Sequence, residues 1–208
     1  AVIAACTLFT TDFSHFDILT QNNIPVVFYD RVPVNPYPAC IIKGDDFRGA
    51  YLAMSHLVQL GSRRIAYISG PLNCNIYIDR YKGFQKVLAQ HGIPLMKELV
   101  FFHELNVENA RKTMHRLFTK EPFPDAIFAA NDVTALTALE FAKEVGISVP
   151  KDLRIVGYSN DPRSSIVSPS ITTIEQFPGL IGKAIVSELM KILKDAIQQV
   201  SLDSAPII

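Results

Sequence analysis

Charge of one sign is the first thing this 208-residue chain lacks. Its 20 Lys and Arg balance 20 Asp and Glu, and no stretch is rich in Lys or Arg. A basic face that tracks DNA phosphates is therefore not visible in this segment. Cysteine is scarce: Cys6, Cys40 and Cys74 are odd in number and far apart, which argues against a disulfide framework or a CxxC zinc site. A reduced, cytoplasmic setting is the default reading. Apolar runs are broken well before the ~20 residues that span a bilayer, and no charged-then-apolar signal segment opens the chain. The chain starts without Met at what reads as the middle of a strand, so it is taken as a fragment or processed form.

The signatures of catalysis are missing too. The five histidines, His15, His56, His91, His103 and His115, are scattered without an HExxH pair. Ser69-Gly70-Pro71 follows a strand but lacks the flanking glycine of a nucleophile elbow. Gly179, Gly182 and Lys183 hint at a phosphate loop, yet Phe177 stands where its first glycine belongs and Ala184 replaces the Ser or Thr. Asp45 and Asp46 have no third ligand at a sensible spacing, so they read as a helix-capping pair rather than a metal site. No catalytic residue, metal site or cofactor is expected.

What is present is alternation. In residues 123–161, FPDAIFAANDVTALTALEFAKEVGISVPKDLRIVGYSND, a short apolar run at 125–130 suits a buried parallel strand. Asn131 and Asp132 end it and can cap the helix that follows, whose apolar residues recur at three and four up to Gly146. A second strand at 153–158 ends in Ser159-Asn160-Asp161. Two parallel strands with a helical crossover place both polar clusters on one carboxyl edge, where open α/β sheets bind small ligands.

The same pattern recurs along the chain. Strands are expected at 2–5, 24–29, 40–42, 65–69 and 99–102, and helices around 15–21, 47–60, from Arg80, at 107–118 and at 180–197. Asp30 ends the second strand after Phe28 and Tyr29, an aromatic–carboxylate pairing suited to sugars, although a lone strand-end Asp is more often a turn former. VPVNPYP, with Pro33, Pro36 and Pro38, can only be a loop, and residues 73–79 read as polar loop. The alternation gives a doubly wound parallel α/β class.

PDAIFAANDVTAL, VGYSND and SPSITTIEQ, together with HLVQLGSRRIAYISGP, DRYKGF and HGIPL upstream, resemble the effector-binding core of the LacI/GalR family of bacterial transcription regulators, in order and at matching spacing. The resemblance covers nearly all the chain. It implies two doubly wound parallel-sheet lobes of the periplasmic binding protein type I kind, with an effector cleft between them and the early part of the first lobe absent. Residues 1–62 and 177–196 would form the partial N-terminal lobe, 63–174 the C-terminal lobe and 197–208 a C-terminal segment. The DNA-binding helix-turn-helix would not be in this chain.

The resemblance also implies site residues. Arg80, in Arg80-Tyr81-Lys82-Gly83-Phe84, would reach the effector with its planar fork. Asn131 and Asp132 would fix the ligand or its loop, and Gln176 would face the cleft or satisfy the crossover backbone. Where many relatives carry Asp after the aromatic residue, this chain has Ser159 and then Asn160, a neutral pair that loosens any inference about a particular sugar. The implied function is the effector-binding and dimerisation core of a cytoplasmic regulator that senses a small molecule, carbohydrate first among the candidates. It would act as a homodimer, with the helix after Asn131 and the loop near Pro162 at the interface, and reach operator DNA only through the missing domain, with no membrane partner. A periplasmic-type sugar-binding protein feeding a transporter shares the fold and is the alternative; a small α/β enzyme is a weaker one.

Overall fold

The computed structural model describes residues 1–203 of the chain. They fall into two compact units: Ala1–Gly44 with Asn73–Asn75 and the chain from Phe177 onward, and Asp45–Leu72 with Ile76–Gln176.

The first unit is built on three parallel strands, β1 (Val2–Ala4), β2 (Val26–Tyr29) and β3 (Cys40–Ile42), in the order β1-β2-β3. The register pairs Val2 with Val26 and Val27 with Cys40. Central β2 is the most buried, and Phe28 at its heart is fully so. The rings of Phe13 and Tyr37 from the loops and Phe16 from α1 (Ser14–Gln21) pack edge-on against Phe28, with centroids 4.9–6.2 Å away. A ring so enclosed contributes about 2–3 kcal/mol by area.

The second unit is a four-stranded parallel sheet with helices on both faces. Its order is β5-β4-β6-β7, from β4 (Ile65–Ser69), β5 (Val100–Phe102), β6 (Ala126–Ala129) and β7 (Arg154–Val156). Because successive side chains point to opposite faces, the apolar runs of β4 and β6 feed two cores at once. Ala66, Ile68, Ile127 and Ala129 face α4 (Val107–Leu117) and α5 (Asp132–Glu144). Ile65, Tyr67, Ala126 and Phe128 face α2 (Asp46–Gln59) and α3 (Asn75–Gln90). A short α6 (Arg163–Ile166) follows β7.

Three expectations are corrected. The boundary placed at 62/63 lies at Gly44/Asp45, because α2 buries Ala50, Ala53, Met54, Leu57 and Val58 against Tyr67, Phe84 and Phe128 of the second core. The loop expected at 73–79 is helix from Asn75 onward. Ile76, Arg80, Phe84 and Leu88 form its buried stripe, and the polar Arg80 within that stripe hides its period. The last helix, α7 (Pro178–Asp203), starts earlier and runs further than expected; the segment expected at 197–208 is helical to Asp203, and 204–208 lie outside the described residues.

Candidate functional site: the strand carboxyl edges

In the first unit, the loops that leave β1 and β2 and the turn at 73–75 surround a cavity of about 200 Å³. Thr7, Thr10, Asn35, Asn73 and Asn75 supply its polar lining and Cys6 part of its wall, and no charged residue lines it. The Thr7 and Thr10 hydroxyls bond each other at 2.9 Å, and the Thr7 N–H donates to Thr10 Oγ1 at 3.0 Å. Asn73 Nδ2 donates to the Leu8 carbonyl at 3.0 Å. Asn75 clamps the loop after β2: its Oδ1 accepts from the Val32 N–H at 2.9 Å and its Nδ2 donates to the Asp30 carbonyl at 3.0 Å. Burial, reinforced by the neighbouring Cys74, pushes the Cys6 thiol above its ordinary value. Asp30 ends β2 at φ +56°, a left-handed conformation tolerated by Asp, and its carboxylate lies 3.8 Å from Arg31 Nε.

In the second unit the polar residues meet at the ends of β6 and β7. Arg80 is only 3% exposed. Its Nε and Nη2 both donate to Asp46 Oδ1 at 2.8 Å, its Nη1 donates to the Ala130 carbonyl at 2.6 Å, and its guanidinium lies 3.6 Å from the Tyr158 ring centre. Burial opposes the charge, and the Asp46 carboxylate together with the Tyr158 and Tyr77 phenols more than offsets it, so the guanidinium sits above its ordinary pKa. Burial likewise raises the Tyr158 phenol. Arg80 is expected to reach a ligand; three of its five N–H donors are engaged by Asp46 and the end of β6. Closing around this group requires Gly49, where a Cβ would collide with the Tyr158 hydroxyl.

Asn131 is the N-cap of α5: its Oδ1 accepts from the Thr134 N–H at 2.9 Å, while its Nδ2 donates to the Leu105 carbonyl at 3.1 Å. Asp132, 1% exposed, braces three segments. Its Oδ2 accepts from the Asp161 N–H at 2.6 Å and its Oδ1 from the Thr173 hydroxyl at 2.7 Å. Ser159 and Asn160 are exposed, at φ +111° and +50°. The Ser159 N–H donates to the Ile174 carbonyl at 2.8 Å, and Asn160 Nδ2 donates to Glu175 Oε2 at 2.5 Å. Gln176, half-buried, closes the unit.

The structure thus gathers Arg80, Asn131, Asp132, Ser159 and Asn160 on one sheet edge, while Asp30 belongs to the other unit. Sequence reasoning missed Asp46 as the partner of Arg80 and missed the Thr7, Thr10 and Asn35 loops. The available signal for those loops was the strand-end rule applied to the polar segment after β1. Among the described residues no group of three or more His, Cys, Asp and Glu is placed to hold a metal ion, and no helix is long and apolar enough to cross a membrane.

Comparison with known proteins gives this architecture a family. The model of the periplasmic binding protein-like domain matches residues 54–207. The HTH-type transcriptional repressor PurR of Actinobacillus pleuropneumoniae serotype 3 (strain JL03) is 33% identical over 193 residues, 93% of this chain and 56% of that protein. Among solved structures, the transcriptional regulator CelR–cellobiose complex is 27% identical, with TM-score 0.79, over 86% of this chain and 55% of that one. The transcription regulator CcpA of Lactococcus lactis is 25% identical, with TM-score 0.76, over 88% and 67%. The chain spans about half the length of the curated relatives it matches. It belongs to the periplasmic binding protein-like domain family, and the relatives named above are transcriptional regulators.

Proposed function

We propose that this chain is the effector-binding and dimerisation core of a bacterial DNA-binding transcriptional regulator, and that its effector is a small uncharged polyhydroxyl molecule of the carbohydrate class. The observation that carries the reading is the cavity at the carboxyl edge of the first sheet, lined by hydroxyl and amide side chains with no charge. Such a lining offers donors and acceptors to hydroxyls and no counter-charge to an ion. The complex of CelR with cellobiose is a precedent for that ligand class on this fold.

On this reading the two edges have different tasks. Thr7, Thr10 and Asn35, with Asp30 nearby in sequence order at the end of β2, are the polar groups the first unit offers an effector, and Ser159, Asn160 and Gln176 are those on the edge of the second unit. Arg80, Asn131 and Asp132 hold the strand ends that display them. Effector binding biases a two-state equilibrium of the dimer and so changes operator affinity, with a coupling of about 1–3 kcal/mol. Operator contact is made by a DNA-binding domain outside this chain, in the cytoplasm. An apolar groove of about 520 Å³ along α5 and α6, with Leu136, Leu139, Ile166 and Val167 among its walls and Ile166 81% exposed, supports the dimer.

The test is a thermal-shift screen of neutral mono- and disaccharides on the chain, repeated with Thr10→Ala and Asn35→Ala. A hit should lose about tenfold or more in affinity in each variant, the cost of one or two hydrogen bonds to a bound ligand. A screen in which no neutral sugar stabilises the chain overturns the carbohydrate reading, and a sugar bound by both variants as tightly as by the unaltered chain overturns the site.

A further inference from the structure

We propose that the second unit carries a separate pocket for a small monocarboxylate with an apolar body, on the outer flank of β7. β7 is an edge strand. The chain at 172–174 runs parallel to it only along its carboxyl half, where Val156 bridges Thr172 and the Gly157 and Ser159 N–H groups donate to Thr172 and Ile174. Beside the amino half lies a cavity of about 200 Å³. Leu57 of α2, Leu60 just after it and Ile155 of β7 give it apolar walls, with His56, Arg154, Ser170 and Thr172 as its polar groups. Arg154 is the first residue of β7, at the opposite strand end from Ser159 and Asn160, so this pocket is distinct from the effector edge.

Charge selects the ligand. No acidic residue lines the cavity. Arg64, Arg80, Arg111 and Arg163 each have a carboxylate within ion-pair distance. The half-buried Arg154 has none among the described residues: its guanidinium makes one hydrogen bond, from Nη1 to the neutral Ser62 Oγ at 3.3 Å. A partly desolvated cation without a counter-charge is costly, and an incoming carboxylate offsets that cost with short charge-assisted hydrogen bonds at the geometry of the guanidinium fork. Three of the C-terminal carbonyls of α2, which would oppose an anion nearby, are already met: His56 by the Leu60 N–H, Val58 by the Gly61 N–H and Arg63 Nη1, and Leu57 by the Ser62 N–H. The apolar walls then require a hydrophobic body behind the carboxylate, which disfavours inorganic phosphate and fully polar acids.

Benzoate is the probe, titrated calorimetrically into the full chain, with benzamide as its neutral isostere and inorganic phosphate as a bare anion. One benzoate should bind per chain, and benzamide and phosphate at least tenfold more weakly. Arg154→Gln should lower benzoate affinity at least tenfold. Ser170→Trp, which plugs the mouth from an exposed position, should abolish binding, and it decides the matter should Arg154→Gln fail to fold. Absence of benzoate binding to the wild-type chain at tens of millimolar overturns the proposal. So does unchanged binding in Ser170→Trp, and benzamide binding as tightly as benzoate overturns the carboxylate assignment.

Discussion

Replacing Asp132 by Ala removes an acceptor that three segments share. The buried carboxylate takes a hydrogen bond from the Asp161 N–H and another from the Thr173 hydroxyl, and it sits in the first turn of α5. Hydrogen bonds to a charged group contribute about 1.5–3 kcal/mol each, and a negative charge at a helix N-terminus adds about 0.3–1 kcal/mol. The Thr173 hydroxyl can rotate and also accepts from the Asn160 N–H at 3.2 Å, which lowers its share. The expected loss is therefore about 3–5 kcal/mol for Asp132→Ala, and about half of that for Asp132→Asn, which keeps one acceptor oxygen. Urea unfolding followed by tyrosine fluorescence reports mainly the second unit, which holds Tyr51, Tyr67, Tyr77, Tyr81 and Tyr158. Hydrogen exchange at the Asp161 amide reports the bond itself. A loss below about 1 kcal/mol, the size of an ordinary exposed hydrogen bond, or undiminished protection of that amide, would refute the brace.

Three further outcomes follow from the same geometry. Asp46→Ala strands the Arg80 guanidinium in the core and should cost about 3–5 kcal/mol, whereas Asp46→Leu combined with Arg80→Met should recover most of it; additive losses in the double-mutant cycle would contradict the pairing. Hydrogen bonds from the Arg163 side chain and N–H hold the Asp161 carboxyl down to about 2. A depressed folded pKa stabilises above the ordinary carboxyl value, and that contribution disappears as pH falls from about 4 to 2. The Asp161 carboxyl ¹³C titration should therefore have its midpoint near 2, moving back toward 4 in Arg163→Ala; a wild-type midpoint near 4 is the contrary result. Ile166→Asp places a charge on the exposed groove of α5 and α6 and should weaken self-association at least tenfold by sedimentation, and an unchanged dimer constant would move the interface elsewhere.

Much of this fold is written in local pattern. The continuous apolar runs at 65–69 and 125–130 identify strands buried on both faces, and both lie in the centre of the second sheet. Asn131, three residues before Thr134, is legible as a cap because the interaction is local. Long-range partnerships are not. Asp46 and Arg80 are 34 residues apart, and each alone has an ordinary reading, a cap and a helix-start cation. The early start of α3 was hidden because its buried stripe includes a charged residue whose partner is distant. The unit boundary was misplaced for a related reason: the apolar face of α2 shows that it packs, not on which sheet. The cavity of the first unit is assembled from three loops, each of which reads separately as polar turn.

Binding of an uncharged polyol at the strand ends of the first unit is open to amide NMR of the labelled chain, titrated with the best-stabilising neutral sugar. Saturable shifts should concentrate at Thr7, Thr10, Asn35, Asn73 and Asn75 and disappear in Asn35→Ala. Saturable shifts confined to other residues, or no saturable shift with any neutral sugar, would contradict it.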